Sequence, residues 1–187
     1  MKKRCIILIR LVNAREVRIM ITLRKPNVET ARAEWELLQK IPESENGFNN
    51  EWHNVSYKDY VNITIPAFYD HEKGINLKPG YVPDTHYFLW VDDVPVGYFN
   101  LRHFLNDFLR KGPGHIGYGI AGEFRGKGYA TEGLRLLLDE ARKIPIDTDE
   151  AYLSALKSNP ASLKVMLKNG ARVTHEDDEH VYARIKL

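Results

Sequence analysis

Apolar positions along the chain change period several times, and each change marks an element. Ile21 to Leu23 reads as a short strand stopped by Lys25-Pro26. Val28, Ala31, Trp35 and Leu38 then recur at helical spacing, with Asn27 placed to cap the helix and Pro42 to end it. Residues 43–54 are polar and turn-rich. A second helix is expected from Ser56, carrying Tyr57, Tyr60, Val61, Thr64 and Phe68 on one face, with Pro66 kinking or shortening it. Residues 70–84 contain two glycines and two prolines and read as loop.

From Thr85 the period drops to two. Thr85 to Val91 and Val94 to Arg102 flank Asp92-Asp93 as a hairpin that is apolar on both faces, so both faces need cover. Residues 103–113 connect it to a strand over His115 to Ala121. Gly128 to Lys143 is the clearest helix, with Ala130, Leu134, Leu137, Leu138 and Ala141 as its apolar stripe. Ala151 to Leu156 is a strand. Asn159-Pro160 opens a last helix in the pattern of a cap followed by proline, with Leu163, Met166 and Leu167 as its buried side and Asn169-Gly170 as its stop. Ala171 to Thr174 and the alternating Val181, Ala183, Ile185 and Leu187 finish the chain. The order β-α-α-β-β-β-α-β-α-β-β predicts an α/β (α+β) fold, a mixed central sheet with helices on both faces.

Composition agrees with a single domain. The 187 residues are 43% hydrophobic and 28% charged, with a formal net charge of +2. So small an excess argues against nucleic acid or an anionic membrane as the main partner. Cys5 is the one cysteine, so no disulfide framework arises within the chain and a cytoplasmic setting is expected. Lys2, Lys3 and Arg4 precede an apolar run, Cys5 to Ile9, too short for a secretory signal or a membrane span. Residues 1–19 are expected to be an extension, an extra strand or poorly ordered, upstream of one domain over residues 20–187 that starts near Met20.

The candidate chemistry lies between the strand ending at Ala121 and the helix after it, in Arg125-Gly126-Lys127-Gly128-Tyr129-Ala130. The glycines allow a tight turn and close approach of a ligand. The helix start offers unpartnered N–H groups and the positive end of its dipole. Arg125 and Lys127 add full charges, and the sum suits a diphosphate. The glycine-lysine-serine/threonine ending of a nucleotide-hydrolase phosphate loop is absent. The dinucleotide fingerprint needs a third glycine and a βαβ entry, where this chain has a hairpin. A tight turn with two solvated basic residues is the plain alternative.

The segment HIGYGIAGEFRGKGYA, His115 to Ala130, resembles the cofactor motif of the GNAT superfamily of acyl-CoA-dependent N-acyltransferases, with Arg125, Gly128 and Ala130 at the motif positions. NPASLKVMLKNGA, Asn159 to Ala171, resembles the family's second motif. The resemblance spans about Met20 to Leu187. It implies a strand splay that binds acyl-CoA, with acetyl-CoA as co-substrate and no metal. The backbone of Tyr118 and Ile120 would pair with the pantetheine arm. Arg125, Gly126, Lys127, Gly128, Tyr129, Ala130 and Thr131 would hold the pyrophosphate, and Asn159 and Ser162 would contact the cofactor. Capping and helix packing explain Asn159 and Ser162 as well.

The function implied is transfer of the acetyl group to a primary amine of a small molecule or protein, by direct attack in a ternary complex. A non-catalytic acetyl-CoA sensor is the alternative, and a homodimer is compatible with either. An amine with a reference value of about 10.4 needs a base to expose its lone pair. His115 is the candidate, although strand parity turns it away from the face set by Tyr118 and Ile120. Many relatives protonate the leaving thiolate from a tyrosine seven residues after the asparagine; here that position is Met166, which has no useful proton. Tyr98, Asn100 and Arg102 share one strand face and are candidates to line the acceptor side. So are some of the aromatics between Trp52 and Tyr81 (Trp52, Tyr57, Tyr60, Phe68, Tyr69 and Tyr81). His53, His71 and Glu72 lie in loops without metal-ligand spacing, so no metal site is expected from them.

Overall fold

The computed structural model describes residues 5–8, 18–146 and 148–187. Strand β1 (Cys5–Leu8) pairs antiparallel with β2 (Arg18–Arg24), Ile6 opposite Met20. Part of the expected extension is therefore an edge strand, and Met20 falls inside β2; the remaining residues before Arg18 lie outside the described residues. Helix α1 (Ala31–Lys40) begins four residues after Asn27, whose Oδ1 instead accepts from Glu29 N–H in a local turn. Val28 is consequently exposed.

The segment read as polar loop folds into a small hairpin of β3 (Ser44–Glu45) and β4 (Phe48–Asn49) around Asn46 and Gly47, both at positive φ. Asn50, fully buried, anchors it by donating from Nδ2 to the carbonyls of Leu38 and Ile41. Ser56 does cap the second helix, its Oγ accepting from Asp59 N–H. That helix runs as α2 (Tyr57–Asp59), a π-helical stretch over Tyr60–Thr64, and α3 (Ile65–Glu72). In the π stretch Ile65 N–H reaches Tyr60 O. Pro66, which has no N–H to give, is absorbed by this widened turn at the start of α3 without ending the helix.

The hairpin of β5 (Asp84–Val91) and β6 (Val94–Arg102) forms as expected, turning at Asp92 with φ 53°. A short helix, α4 (Asp107–Lys111), capped by Asn106, occupies the next connection. Then come β7 (Ile116–Ile120), α5 (Tyr129–Ala141), β8 (Glu150–Leu156), α6 (Pro160–Lys168), β9 (Arg172–Glu176) and β10 (His180–Lys186). The sheet is divided: β1-β2-β5-β6-β7 form one antiparallel part and β8-β10-β9 the other. The two meet at a single bridge, Gly114 to Leu153.

Register assigns the faces. Asn100 stands opposite Gly117 and Tyr98 opposite Gly119, with Asp84 and His86 opposite Arg102 and Asn100. This face is covered by Leu37 and Leu38 of α1, Tyr60 of the π-helical stretch and Phe68 of α3. The opposite face carries Tyr87, Leu89, Phe99, Leu101, Ile116 and Ile120 and packs on Leu134, Leu137 and Leu138 of α5. Each leucine so buried stabilises the fold by about 1.5–3 kcal/mol. A Cβ on Gly133 would lie 2.2 Å from Phe99 Cζ, so glycine is what lets α5 come this close to the sheet. In α6 only Met166 is buried among the three expected residues; Leu167 is exposed because the helix lies over the sheet edge by a narrower stripe. No helix among the described residues is long and apolar enough to cross a membrane.

Candidate active site

Beyond the Gly114–Leu153 bridge the two sheet parts separate, and a cavity of about 1000 Å³ opens between them. Ile116 to Ile120 line one side, and Ser154, Ala155 and Leu156 the other. Edge geometry follows from two bonds to β6: Arg102 N–H donates to His115 O and Ala121 N–H donates to Val96 O. Alternation along the strand then turns the peptide groups of Tyr118 and Ile120 toward the gap. An extended ligand arm could pair there as an added strand. The Ile120 carbonyl, however, already accepts from Arg125 Nε at 2.9 Å.

At one end of the cavity lies the glycine loop. Gly126 and Gly128 have φ 76° and 83°, and a Cβ at either would meet nothing within 4 Å. Backbone conformation, and not space, demands glycine in the ligand-free loop. Gly128 is the N-cap of α5, whose first intrahelical bond runs from Glu132 N–H to Gly128 O. The amides of Tyr129, Ala130 and Thr131 thus open the helix without helical acceptors. Ten of the eleven residues expected at the cofactor line this cavity; Lys127 does not, its Nζ donating to Glu123 O over the ring of Phe124.

Arg125 is engaged by Glu45 of β3, with Nη1 to Oε1 at 3.1 Å and a second contact from Nη2 to Oε2. The hydrogen bond to Arg125 holds the Glu45 carboxyl below its ordinary value, and the same bond raises Arg125. Asn159 caps α6, its Oδ1 accepting from Ser162 N–H, and its Nδ2 donates to Asn46 O in the β3–β4 turn. Ser162 Oγ lies 2.9 Å from the hydroxyl of Tyr118, whose value is raised by burial.

The other end of the cavity is where sequence reading fell short. His115 does not line it. The ring is fully buried, and its Nδ1 accepts from Tyr152 N–H at 2.9 Å while the main-chain N–H of His115 donates to Tyr152 O, so the residue ties β7 to β8 at the closed end. Met166 is likewise in the core. Instead the cavity reaches His71, Asp84, His86, Tyr98, Asn100 and Arg102, with Phe48, Trp52 and Tyr81 beside them. Tyr57 stays outside against Trp35, Tyr69 donates to Pro26 O, and Tyr60 and Phe68 pack in the core.

These polar groups form a chain. Trp52 Nε1 donates to Tyr98 Oη at 3.0 Å, and Tyr98 Oη lies 2.5 Å from His86 Nδ1. Indole N–H only donates, so the phenol proton is the one directed at Nδ1, and a neutral His86 carries its proton on Nε2. Nε2 is 3.2 Å from Asp84 Oδ1, although outside hydrogen-bond geometry, and has no other partner. Burial would raise Asp84, but the close approach of the His71 and His86 rings outweighs it and holds the carboxyl well below its usual range. Asn100 Nδ2 donates to Asp84 Oδ2. One ligand atom from each of His71, Asp84 and His86 lies within 4.8 Å of the others, a spacing that could also receive a cation; His53 and Glu72 are elsewhere, Glu72 paired with Lys25. The signal in sequence was Asp84-Thr85-His86, period two on one strand face, set opposite Arg102 and Asn100.

Fold and cavity together define an enzyme class, and comparison with known proteins names it. Residues 8–172 match the family model described as acetyltransferase (GNAT) domain, and the chain belongs to that family. The fold is shared with a solved probable acetyltransferase at 23% identity and TM-score 0.64, covering 89% of this chain and 92% of that one. It is shared with RimL, a ribosomal alpha-N-protein acetyltransferase in complex with coenzyme A, at 14% identity and TM-score 0.62, covering 89% and 94%. An aminoglycoside acetyltransferase in complex with coenzyme A and kanamycin gives 17% identity and TM-score 0.57, covering 89% and 94%. At these identities the likeness is one of fold. No curated protein sequence matched.

Proposed function

We propose that this chain transfers an acetyl group from acetyl-CoA to a primary amine within a ternary complex. The observation that carries the reading is the single cavity that joins the α5 N-terminus to the Tyr98–His86–Asp84 chain. The diphosphate would lie on the amides of Tyr129, Ala130 and Thr131, with Arg125 turning from Glu45 to meet it. Asn159 and Ser162 would flank the pantetheine arm, and the thioester would reach toward the polar end.

There the amine would give its proton to Tyr98 Oη as the phenol proton moves to His86 Nδ1. The imidazolium formed would face the Asp84 carboxylate, which stays ionised. This relay takes the place of His115, which serves the fold. A backbone N–H near Ile120 would meet the oxyanion. The Tyr118 hydroxyl, kept protonated by burial, would donate to the departing sulfur, the part for which Met166 is unsuited.

A sensor needs no buried proton path, so the relay favours catalysis. Calorimetry with acetyl-CoA, followed by thiol release across a panel of amines, tests the reading. Saturable binding and amine-dependent thiol release are expected. Binding without release on any amine would favour the sensor, and no binding of any acyl-CoA would overturn the assignment.

A further inference from the structure

Arg102 ends β6 with its side chain on the cavity face, directly across the ladder from Asp84. Its one hydrogen bond runs from Nη1 to Gly114 O at 3.0 Å, and no carboxylate of the described residues lies within ion-pair distance. A guanidinium has five N–H donors in a planar fork. The other four have no hydrogen-bond partner among the described residues, on a side chain that lines the cavity, where burial lowers its value while Asp84, Tyr98 and Glu51 raise it. Buried charge is costly unless paired. Gly114 alone does not require a guanidinium, since a single neutral donor would satisfy that carbonyl.

The diphosphate does not supply the missing anion. Arg102 sits beside His115, at the start of β7, whereas the glycine loop follows its end. Five residues of strand separate them by roughly 16 Å. What lies close to Arg102 is the acceptor end of the cavity. There a cation-seeking carboxylate, Asp84, and an anion-seeking guanidinium occupy one rung of the hairpin.

Resting on the amine-acetylation reading, we infer that the acceptor is a small aminocarboxylate. Its carboxylate is received by the Arg102 fork and its amine by Tyr98, His86 and Asp84. The bidentate geometry suits a carboxylate, and amines that carry only positive charge meet repulsion from Arg102.

The test is calorimetry on the full chain saturated with coenzyme A. The probes are two α-amino acids of each side-chain class and three ω-amino acids, each paired with its own carboxamide. At least one acid is expected to bind about tenfold to a hundredfold tighter than its amide, the range for a hydrogen bond to a charged group. Arg102→Met should erase that preference while acetyl-CoA affinity, the check on folding, is kept. If that variant does not fold, Arg102→Lys keeps the charge without the fork and should shrink the preference. Amides binding as well as acids throughout, or no acid binding at all, would overturn the inference. Thiol release is read separately: acids that bind without being acetylated would sink the transfer reading and leave this one, and amides acetylated in preference to acids would do the reverse.

Discussion

The hydroxyl of Tyr98 stands between Trp52 Nε1, which donates to it, and His86 Nδ1, 2.5 Å away, which accepts from it. Two donors cannot point at one another, so this arrangement fixes the direction of the phenol proton and the tautomer of a neutral His86 together.

Tyr98→Phe should therefore break the relay while leaving the cofactor end intact. General-base assistance is worth about 10²–10⁴ in rate, so amine-dependent thiol release should fall at least about a hundredfold. Affinity for acetyl-CoA should hold. Loss of the acceptor for Trp52 should also cost about 1–3 kcal/mol of stability by denaturant titration. A variant that turns over within threefold of the parent would remove Tyr98 from the mechanism.

Asp84 links the same site to acid stability. A carboxyl held below its ordinary value contributes stability above its unfolded value, about 3.9, and that contribution is lost as pH falls through the folded value. Asp84→Asn does not titrate. The difference in melting temperature between parent and variant should be flat above about pH 5 and change against the parent below about pH 4. A gap that moves in the parent's favour on acidification would mean that Asp84 is protonated in the folded protein.

Glu45 occupies the guanidinium proposed to meet the diphosphate. Glu45→Gln should raise acetyl-CoA affinity by about twofold to fivefold, in keeping with an exposed ion pair worth at most about 1 kcal/mol. Arg125→Glu should lower it. Weaker binding by Glu45→Gln in calorimetry would show that the pair organises the site instead of competing for it.

Gly133→Ala tests the packing of α5. The new methyl would lie 2.2 Å from Phe99 Cζ. Overpacking of this kind costs about 1–3 kcal/mol. Thermal unfolding should show the loss, and an unchanged midpoint would mean that the helix shifts freely on the sheet.

Much of this molecule was legible in its residues, for reasons that are local. The β5–β6 hairpin, the α5 stripe and the Asn159-Pro160 cap declare themselves within a few positions. So does the glycine loop, because positive φ and an open helix start are properties of the loop itself. The acceptor end was harder. Tyr98, Asn100 and Arg102 could be placed on one strand face, but Asp84 and His86 join them only once the ladder register is known. His71 arrives from α3, a helix that continues through Pro66 by way of a π-helical stretch. His115 shows the converse: parity sets it apart from Tyr118 and Ile120, but only the fold reveals that it fastens β7 to β8. The β3–β4 hairpin was missed because Asn50, a single polar residue, holds it through two carbonyls of the α1 terminus.

The glycines of β7 have one more consequence. A methyl at Gly117 would reach within 2.5 Å of Asn100 Oδ1, and one at Gly119 within 2.9 Å of Phe48. On the acceptor side that wall is bare main chain. Its neighbours, Asn100 and Phe48, are therefore side chains whose exchange would resize the chamber while that wall is kept. Libraries that vary those two positions, with both glycines kept, offer a compact route to altered acceptor range.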